Sequence, residues 1–368
     1  MSIKVQCHNH VNPEQWDEQA ATLGGGFHHC HAATIYRARA LQAEPLFIRA
    51  VDDRGRCVGI AAGAVASSRI WPFSRYCRLA SFEATPVAGG DAQLEIDLLK
   101  TVERYLRDLG VFRIGFSSYH SPNSNRLLPE GDYALTRRAE YSFDLTRSLD
   151  ELFNAFHSTR RKEVRRAEKR GVIVQEVNMT EAMNMVRHFR DLSMQRRGIP
   201  VSPPKDPVIA ARHELLSSGR VHVLVSYWQG QPEGAMVLGL FNGQAYGLES
   251  GSSDQGNRNF SMTHLTWTAV GLFKERGAVC LSLGGAKEDE EGLRKFKQEF
   301  GTIETSQPAG YKIISRFGGR LDALRACLRR KGGAHRAKGH VQSRRSSGPA
   351  GPGEVSCDSA SRKVPEGE

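Results

Sequence analysis

No apolar run in the 368-residue chain approaches the roughly 18 residues of a membrane span; the longest, Gly59 to Ala66, is far too short. The seven cysteines never form a CxxC pair, and a chain of this length needs no disulfide scaffold, which points to a reducing compartment. The first thirty residues mix Glu14, Asp17 and Glu18 with four histidines and lack a continuous apolar core, so no secretory leader is read there. The expected location is cytoplasmic. Aromatic residues are missing altogether from Lys331 to Glu368, a stretch rich in Gly, Ser and Pro. Such a segment cannot bury enough apolar surface to offset its ordering entropy, and a disordered tail is expected.

What is present fits a globular protein: 39% hydrophobic and 25% charged residues exclude disorder throughout and a fibrous repeat. The length suggests two domains and a remainder. Net charge is +11, which implies anionic company, and it is concentrated rather than spread. Ser158 to Arg170 holds seven basic residues against two acidic ones, a net +5, and the tail adds +3.

Hydrophobic spacing gives a mixed α/β pattern. Leu46–Ala50 and Cys57–Ala64 flank the turn Asp52-Asp53-Arg54-Gly55 and read as a hairpin. Asp91 caps a helix whose stripe is Leu94, Leu98, Leu99, Val102 and Leu106. Strands are expected at Arg78–Glu83 and Val111–Phe116. Ser148 and Glu151 form a capping box, and a single helix is predicted from there to Gly171, its second half carrying the basic residues. A second pass predicts helices at Thr180–Arg196 and Val208–Ser217, then strands at Val221–Tyr227, Ala235–Phe241 and Gln244–Ser250. After a loop at Gly251–Phe260 come a helix at Ser261–Arg276, a strand at Val279–Leu283, the pair Gly284-Gly285, a helix at Glu290–Phe300 and a strand at Gly310–Ser315. Each half thus reads as strands, helix, strand, helix, strand.

Two blocks resemble the FemAB-like acyltransferases of the GNAT superfamily. One is the basic helix Arg160 to Val172. The other is Tyr246, the helix carrying Trp267, Gly284-Gly285, and Gly292-Leu293-Arg294-Lys295-Phe296-Lys297-Gln298-Glu299-Phe300-Gly301. The similarity covers about Leu46 to Ser315. It implies a mixed α+β sheet in two GNAT-like lobes in tandem: residues 1–143, residues 144–318 of FemAB type, and residues 319–368 as a short basic helix and disordered tail. It also implies transfer of an acyl or aminoacyl group from acyl-CoA or aminoacyl-tRNA to an amine of a cell-envelope, polysaccharide or lipid precursor. No permanently bound cofactor and no DNA partner are expected. The chain departs from the family at Ser282, where an acidic residue commonly precedes the glycine pair by two positions.

Acyl transfer to an amine needs an anion site for the donor, a positive group for the developing oxyanion, and a path for the amine proton. Lys297 is the candidate cation, its stem held by packing beside Phe296 while the ammonium reaches out; without the resemblance it reads as a solvated helix lysine. Arg258 and Asn259, in a loop opening onto a helix start, are candidates for donor phosphate, although the usual GNAT glycine signature is absent there. Arg160, Arg161, Arg165 and Arg166 are candidates for tRNA or a nucleotide-linked acceptor; the bland alternative is a solvated face complementing the helix dipole. Tyr246 and Glu249 are proton-transfer candidates, expected on opposite faces of their strand. Direct attack by the amine is expected, with no covalent enzyme intermediate. His28, His29, His31, Cys30, Cys7, His8 and His10 match no structural zinc spacing, and no metal is expected. Gly319 to Arg330 is amphipathic and offers either a peripheral membrane contact or packing against the second lobe. The rival reading is a non-catalytic nucleic-acid-binding protein using residues 158–170, against which stands the lack of interleaved aromatics.

Overall fold

The computed structural model describes residues 3–67, 78–119, 121, 123–177, 180–201, 203 and 206–315. The amphipathic segment Gly319–Arg330 and the tail predicted to be disordered lie outside these residues. The first half runs β1 (Lys4–His8), α1 (Pro13–Thr22), α2 (His31–Leu41), β2 (Glu44–Val51), β3 (Cys57–Ala66), β4 (Arg78–Phe82), α3 (Ala92–Asp108), β5 (Val111–Phe116), α4 (Ser124–Leu127) and β6 (Ala134–Asp144). The second continues with α5 (Leu149–Ala155), α6 (Ser158–Lys169), β7 (Ile173–Glu176), α7 (Thr180–Arg196), α8 (Asp206–Ser217), β8 (Val221–Trp228), β9 (Gln231–Phe241), β10 (Gln244–Ser252), α9 (Asp254–Arg258), α10 (Ser261–Glu275), β11 (Cys280–Ala286), α11 (Glu291–Gln298) and β12 (Ile303–Ile313).

Among the described residues the strands form one twelve-stranded sheet in the order β1-β2-β3-β4-β5-β12-β6-β11-β10-β9-β8-β7. The order is symmetric about its centre, and the last strand of each half lies on the other side of it. β12 completes the first half by pairing with β5, and β6 completes the second by pairing with β11. β12 and β6 pair with one another from Ile303–Ser142 to Tyr311–Ala134, which joins the halves into one hydrogen-bonded ladder. The 143/144 division drawn from the sequence falls at the end of β6. Each half contains one parallel pair, β4 with β5 and β10 with β11, among antiparallel neighbours.

Three apolar clusters hold the layers. Leu98, Leu99, Val102 and Leu106 of α3 pack on Ile48, Ala61, Phe82 and Ile114. On the opposite face one cluster draws from both halves, with Trp16, Phe27 and Phe47 meeting Val186, Phe189, Val223, Val237 and Tyr246. The 3-10 turn at Phe27–His29 packs against β9: a Cβ on Gly239 would stand 2.5 Å from the Phe27 ring. Phe143, Phe156, Phe273 and Phe300 centre the third cluster, under α5 and α10. Fully burying each such ring contributes about 1.5–3 kcal/mol.

Three sequence expectations change. The single helix from Ser148 to Gly171 is two helices, because Phe156 leaves the helical path and buries its ring against Phe143, Trp267 and Phe300. The capping box and the positive-φ Gly171 stand at the outer ends as expected. The loop Gly251–Phe260 contains α9, whose Ser253 cap accepts the Gly256 amide. The final strand begins at Ile303, not Gly310.

Candidate active site

In the first half, hydrogen bonding continues past the ends of β4 and β5: the Ser117 amide donates to Phe82 and that of Tyr119 to Glu83. The second half behaves differently. β10 and β11 make their last pair at Tyr246–Ser282, and both strands then bulge. β10 inserts an extra residue between Gly247 and Glu249, and β11 inserts one between Ser282 and Gly285. The ladder between the two strands ends at this point.

The glycine pair makes the β11 bulge possible. Gly284 has φ +74°, a left-handed conformation that glycine adopts without a Cβ penalty. A Cβ there would sit 3.4 Å from the Gly247 oxygen and 3.6 Å from the Tyr246 hydroxyl. At Gly285 a Cβ would sit 3.3 Å from Cδ of Arg138, so its absence gives that side chain its path. The Ser282 hydroxyl accepts the Gly284 amide at 3.0 Å and donates to Glu140 at 2.8 Å.

Lys297 does not reach outward as the sequence suggested. It is 7% exposed, and its ammonium donates to the carbonyls of Leu283, Gly284 and Gly285 at 2.8, 3.0 and 2.9 Å. All three N–H groups are thereby used to hold the bulge open. Burial pushes its pKa down to about 8; the carboxylates of Glu140 and Glu290 oppose the shift and Arg138 adds to it.

Tyr246 is 3% exposed and stands beside this bulge. Its ring meets His28 edge-on at 4.8 Å and Tyr119 at 5.4 Å, both from the first half. Burial, with Glu140 and Tyr119 adding, raises its phenol pKa well above the ordinary value, so it remains a proton donor. The site is therefore built from both halves, since β6 also brings Arg138 and Glu140.

Glu249 lies on the same face as Tyr246, contrary to simple alternation, because the extra residue in β10 restores the phase. It is nonetheless committed elsewhere. Its carboxylate accepts from Arg212 at 2.5 and 2.8 Å, and Arg190 stands 3.6 Å away. An ion-paired carboxylate is a poor base, and Glu249 serves to tie β10 to α7 and α8.

The basic helix divides into two groups. Arg160 bonds Glu163 at 2.6 Å and Glu299 at 2.8 Å and lies 4.6 Å over the half-buried Phe296 ring. Arg161 donates to the Asn154 and Phe156 carbonyls at 2.8 and 2.6 Å, closing the end of α5. These two are internal braces. Arg165 and Arg166 are exposed, and with Lys162 and Lys169 they occupy positions i, i+3, i+4 and i+7 on one face. None of these four makes an ion pair among the described residues.

Asn259 is 3% exposed, and its amide donates to Glu233 at 2.6 Å, while Ser261 donates to the other Glu233 oxygen at 2.9 Å. It fixes the approach to α10 and does not face outward. Arg258 is exposed at the end of α9. The N-cap of α10 is Phe260 in a left-handed conformation, φ 61°, with no side-chain cap. The α10 start, which follows β10 after the short α9, therefore retains anion-binding capacity. Glu140, Arg138, Tyr119 and His28 escape sequence reasoning because three separate segments bring them together; the one available signal was the missing acid at Ser282.

Among the described residues no three His, Cys, Asp or Glu side chains form a group able to hold a metal ion. No helix among them is long and apolar enough to cross a membrane.

No protein-family model and no curated protein matches the chain. Solved structures do. FemX superposes with a TM-score of 0.67 at 14% identity, over 88% of this chain and 99% of FemX. The C-terminal domain of a putative lysylphosphatidylglycerol synthetase from Agrobacterium fabrum gives 0.53 at 16% identity, covering 86% of this chain and 96% of that one. L-PGS from Bacillus licheniformis gives 0.52 at 14% identity, over 82% and 92%. Together with the symmetric strand order, these likenesses show a fold like that of FemX, with two similar α/β halves in tandem.

Proposed function

We propose that this chain is an acyltransferase. It moves an acyl or aminoacyl group from an activated donor, acyl-CoA or aminoacyl-tRNA, onto an amine of a cell-envelope, polysaccharide or lipid precursor. The observation that carries this reading is the end of the β10–β11 ladder beside Tyr246, in a half whose helix α10 begins with no side-chain cap. One neighbour, named as a putative lysylphosphatidylglycerol synthetase, favours a lipid acceptor and an aminoacyl donor.

In this mechanism the donor's phosphates lie at the start of α10 with Arg258, and its carbonyl enters beside Tyr246, where the β10–β11 ladder ends. The acceptor amine adds to the carbonyl carbon and its C–N bond forms. The tetrahedral intermediate then collapses with cleavage of the bond to the thiolate or ribose oxygen. The protonated Tyr246 phenol gives its proton to that leaving group and regains one from the ammonium formed by attack. Lys297 acts as a positioning residue, since its ammonium is saturated by the bulge carbonyls it holds.

The test is retention and turnover. Purified protein is equilibrated with pools of acyl-CoA and charged tRNA, and the bound species are read by mass spectrometry before amine acceptors are added. Retention of one donor class and its transfer to an amine is expected; retention of neither refutes the reading.

One observation favours a second reading, a non-catalytic nucleic-acid-binding protein: the exposed row Lys162, Arg165, Arg166 and Lys169, which makes no ion pair among the described residues. Salt-steep RNA binding without any transfer would establish it.

A further inference from the structure

Arg138 differs from the arginines that pack into the fold through a carboxylate. Arg160, Arg196, Arg212 and Arg276 each reach a carboxylate. The Arg138 guanidinium instead lies flat against Tyr119, its carbon 3.5 Å from the ring centroid. Its Nε and Nη2 are shielded from water and meet no hydrogen-bond acceptor among the described residues. Arg138 is half-buried, and withdrawing part of a cation from water is costly unless a partner compensates, which stacking on an aromatic face does only in part. The carboxylate on the same face of β6, Glu140, accepts from the Ser282 hydroxyl.

Its location gives this half-buried charge a purpose. Gly285 lacks the Cβ that would stand 3.3 Å from Cδ and 3.6 Å from Nε of Arg138, so the side chain rests directly on the β11 bulge. Tyr119 stacks on His28 at 5.0 Å, and both rings face Tyr246. The guanidinium therefore sits among aromatic walls at the place where the β10–β11 ladder ends. A planar fork of N–H donors in such surroundings matches an oxyanion, either carboxylate or phosphate.

We infer that Arg138 is an oxyanion-receiving residue of this cleft, so that a substrate carries a carboxylate or phosphate group next to its reacting end. The inference rests on the cleft being the substrate site, but its test needs no transfer and no identified substrate. Anion binding and acyl transfer can thus fail separately.

The experiment measures thermal unfolding and calorimetric binding with two probes, inorganic phosphate and acetate. The proteins are the wild-type chain, R138M, R138K and R104A. In the wild type one or both anions raise the unfolding midpoint, and the responding probe identifies the kind of oxyanion. R138M is expected to bind that probe at least about 30-fold more weakly, yet to match the wild-type midpoint without anion to within a few degrees, because it removes a half-buried charge. R138K keeps the charge and loses the fork, and is expected to bind more weakly than the wild type even if R138M does not fold. R104A, altered on the exposed side of α3, binds as the wild type does. No response of the wild type to either probe overturns the inference. So does equal binding by wild type and R138K, or a response lost equally in R104A.

Discussion

The hydroxyl of Ser282 donates to the carboxylate of Glu140 across 2.8 Å, from β11 to β6. Sequence comparison left Ser282 as a departure where an acid was expected. The tertiary structure supplies a carboxylate at that place from another strand, one that the first half of the chain contributes to the second. The same carboxylate helps hold the charge of Lys297 and keeps the Tyr246 phenol protonated.

Lys297→Met tests the bracing of the bulge. Three buried carbonyls lose their partner, and a loss of about 2 kcal/mol or more is expected at neutral pH. The pH dependence is more specific. A lysine whose folded pKa, about 8, lies below its ordinary 10.5 destabilises the fold while charged. That penalty is complete below the folded pKa and is relieved as pH rises toward the unfolded one. The stability gap between wild type and K297M should therefore widen, by up to about 3 kcal/mol, from about pH 7 to about pH 10. Denaturant titrations read it, and a gap that narrows over this range contradicts the assignment.

Tyr246→Phe separates chemistry from packing. The ring keeps its contacts with His28 and Tyr119, so the unfolding midpoint should stay close to that of the wild type. The proton donor is lost, and kcat should fall by about 100-fold with KM little changed. Because the phenol pKa is raised well above the ordinary value, wild-type activity should show no alkaline decline from this group. Full kcat in Y246F would remove it from the mechanism.

Arg160 and Arg166, six residues apart on one helix, should respond oppositely to truncation. Arg160→Ala strips Glu163 and Glu299 of a shared, largely buried partner, and about 2 kcal/mol of stability should be lost. Arg166→Ala should change stability by less than about 0.5 kcal/mol. It should instead reduce the salt dependence of binding to a polyanion such as tRNA. Chemical denaturation together with a salt titration of RNA binding distinguishes the two.

Much of the architecture was legible because its signals are local. The α3 stripe Leu98, Leu99, Val102 and Leu106 faces the core as its spacing requires. The Ser148–Glu151 capping box closes where it was read, and α7 spans Thr180–Arg196 as the pattern indicated. The site was less legible. Arg160, Asn259 and Glu249 have the right chemistry for anions or protons, yet each is tied to a carboxylate or guanidinium from a distant segment, while Arg161 is tied to carbonyls at the end of the preceding helix. Nothing in the sequence distinguishes a brace from a free ligand when the partner lies far along the chain. Lys297 shows the same limit, since helix spacing gives its side but not the three carbonyls that turn it inward.

The sequence by itself determined the alternation of strands and helices, the positions of caps and turns, and the clustering of positive charge, since each depends on residues within a few positions of one another. Tertiary structure alone decided that β6 and β12 cross between the halves. It alone put Arg138, Glu140 and Tyr119 of the first half beside Tyr246 of the second, and it sorted the arginines into braces and an exposed row. Those outcomes depend on long-range strand pairing and on which charges meet an acceptor once water is excluded. Such encounters exist only after the chain has closed on itself.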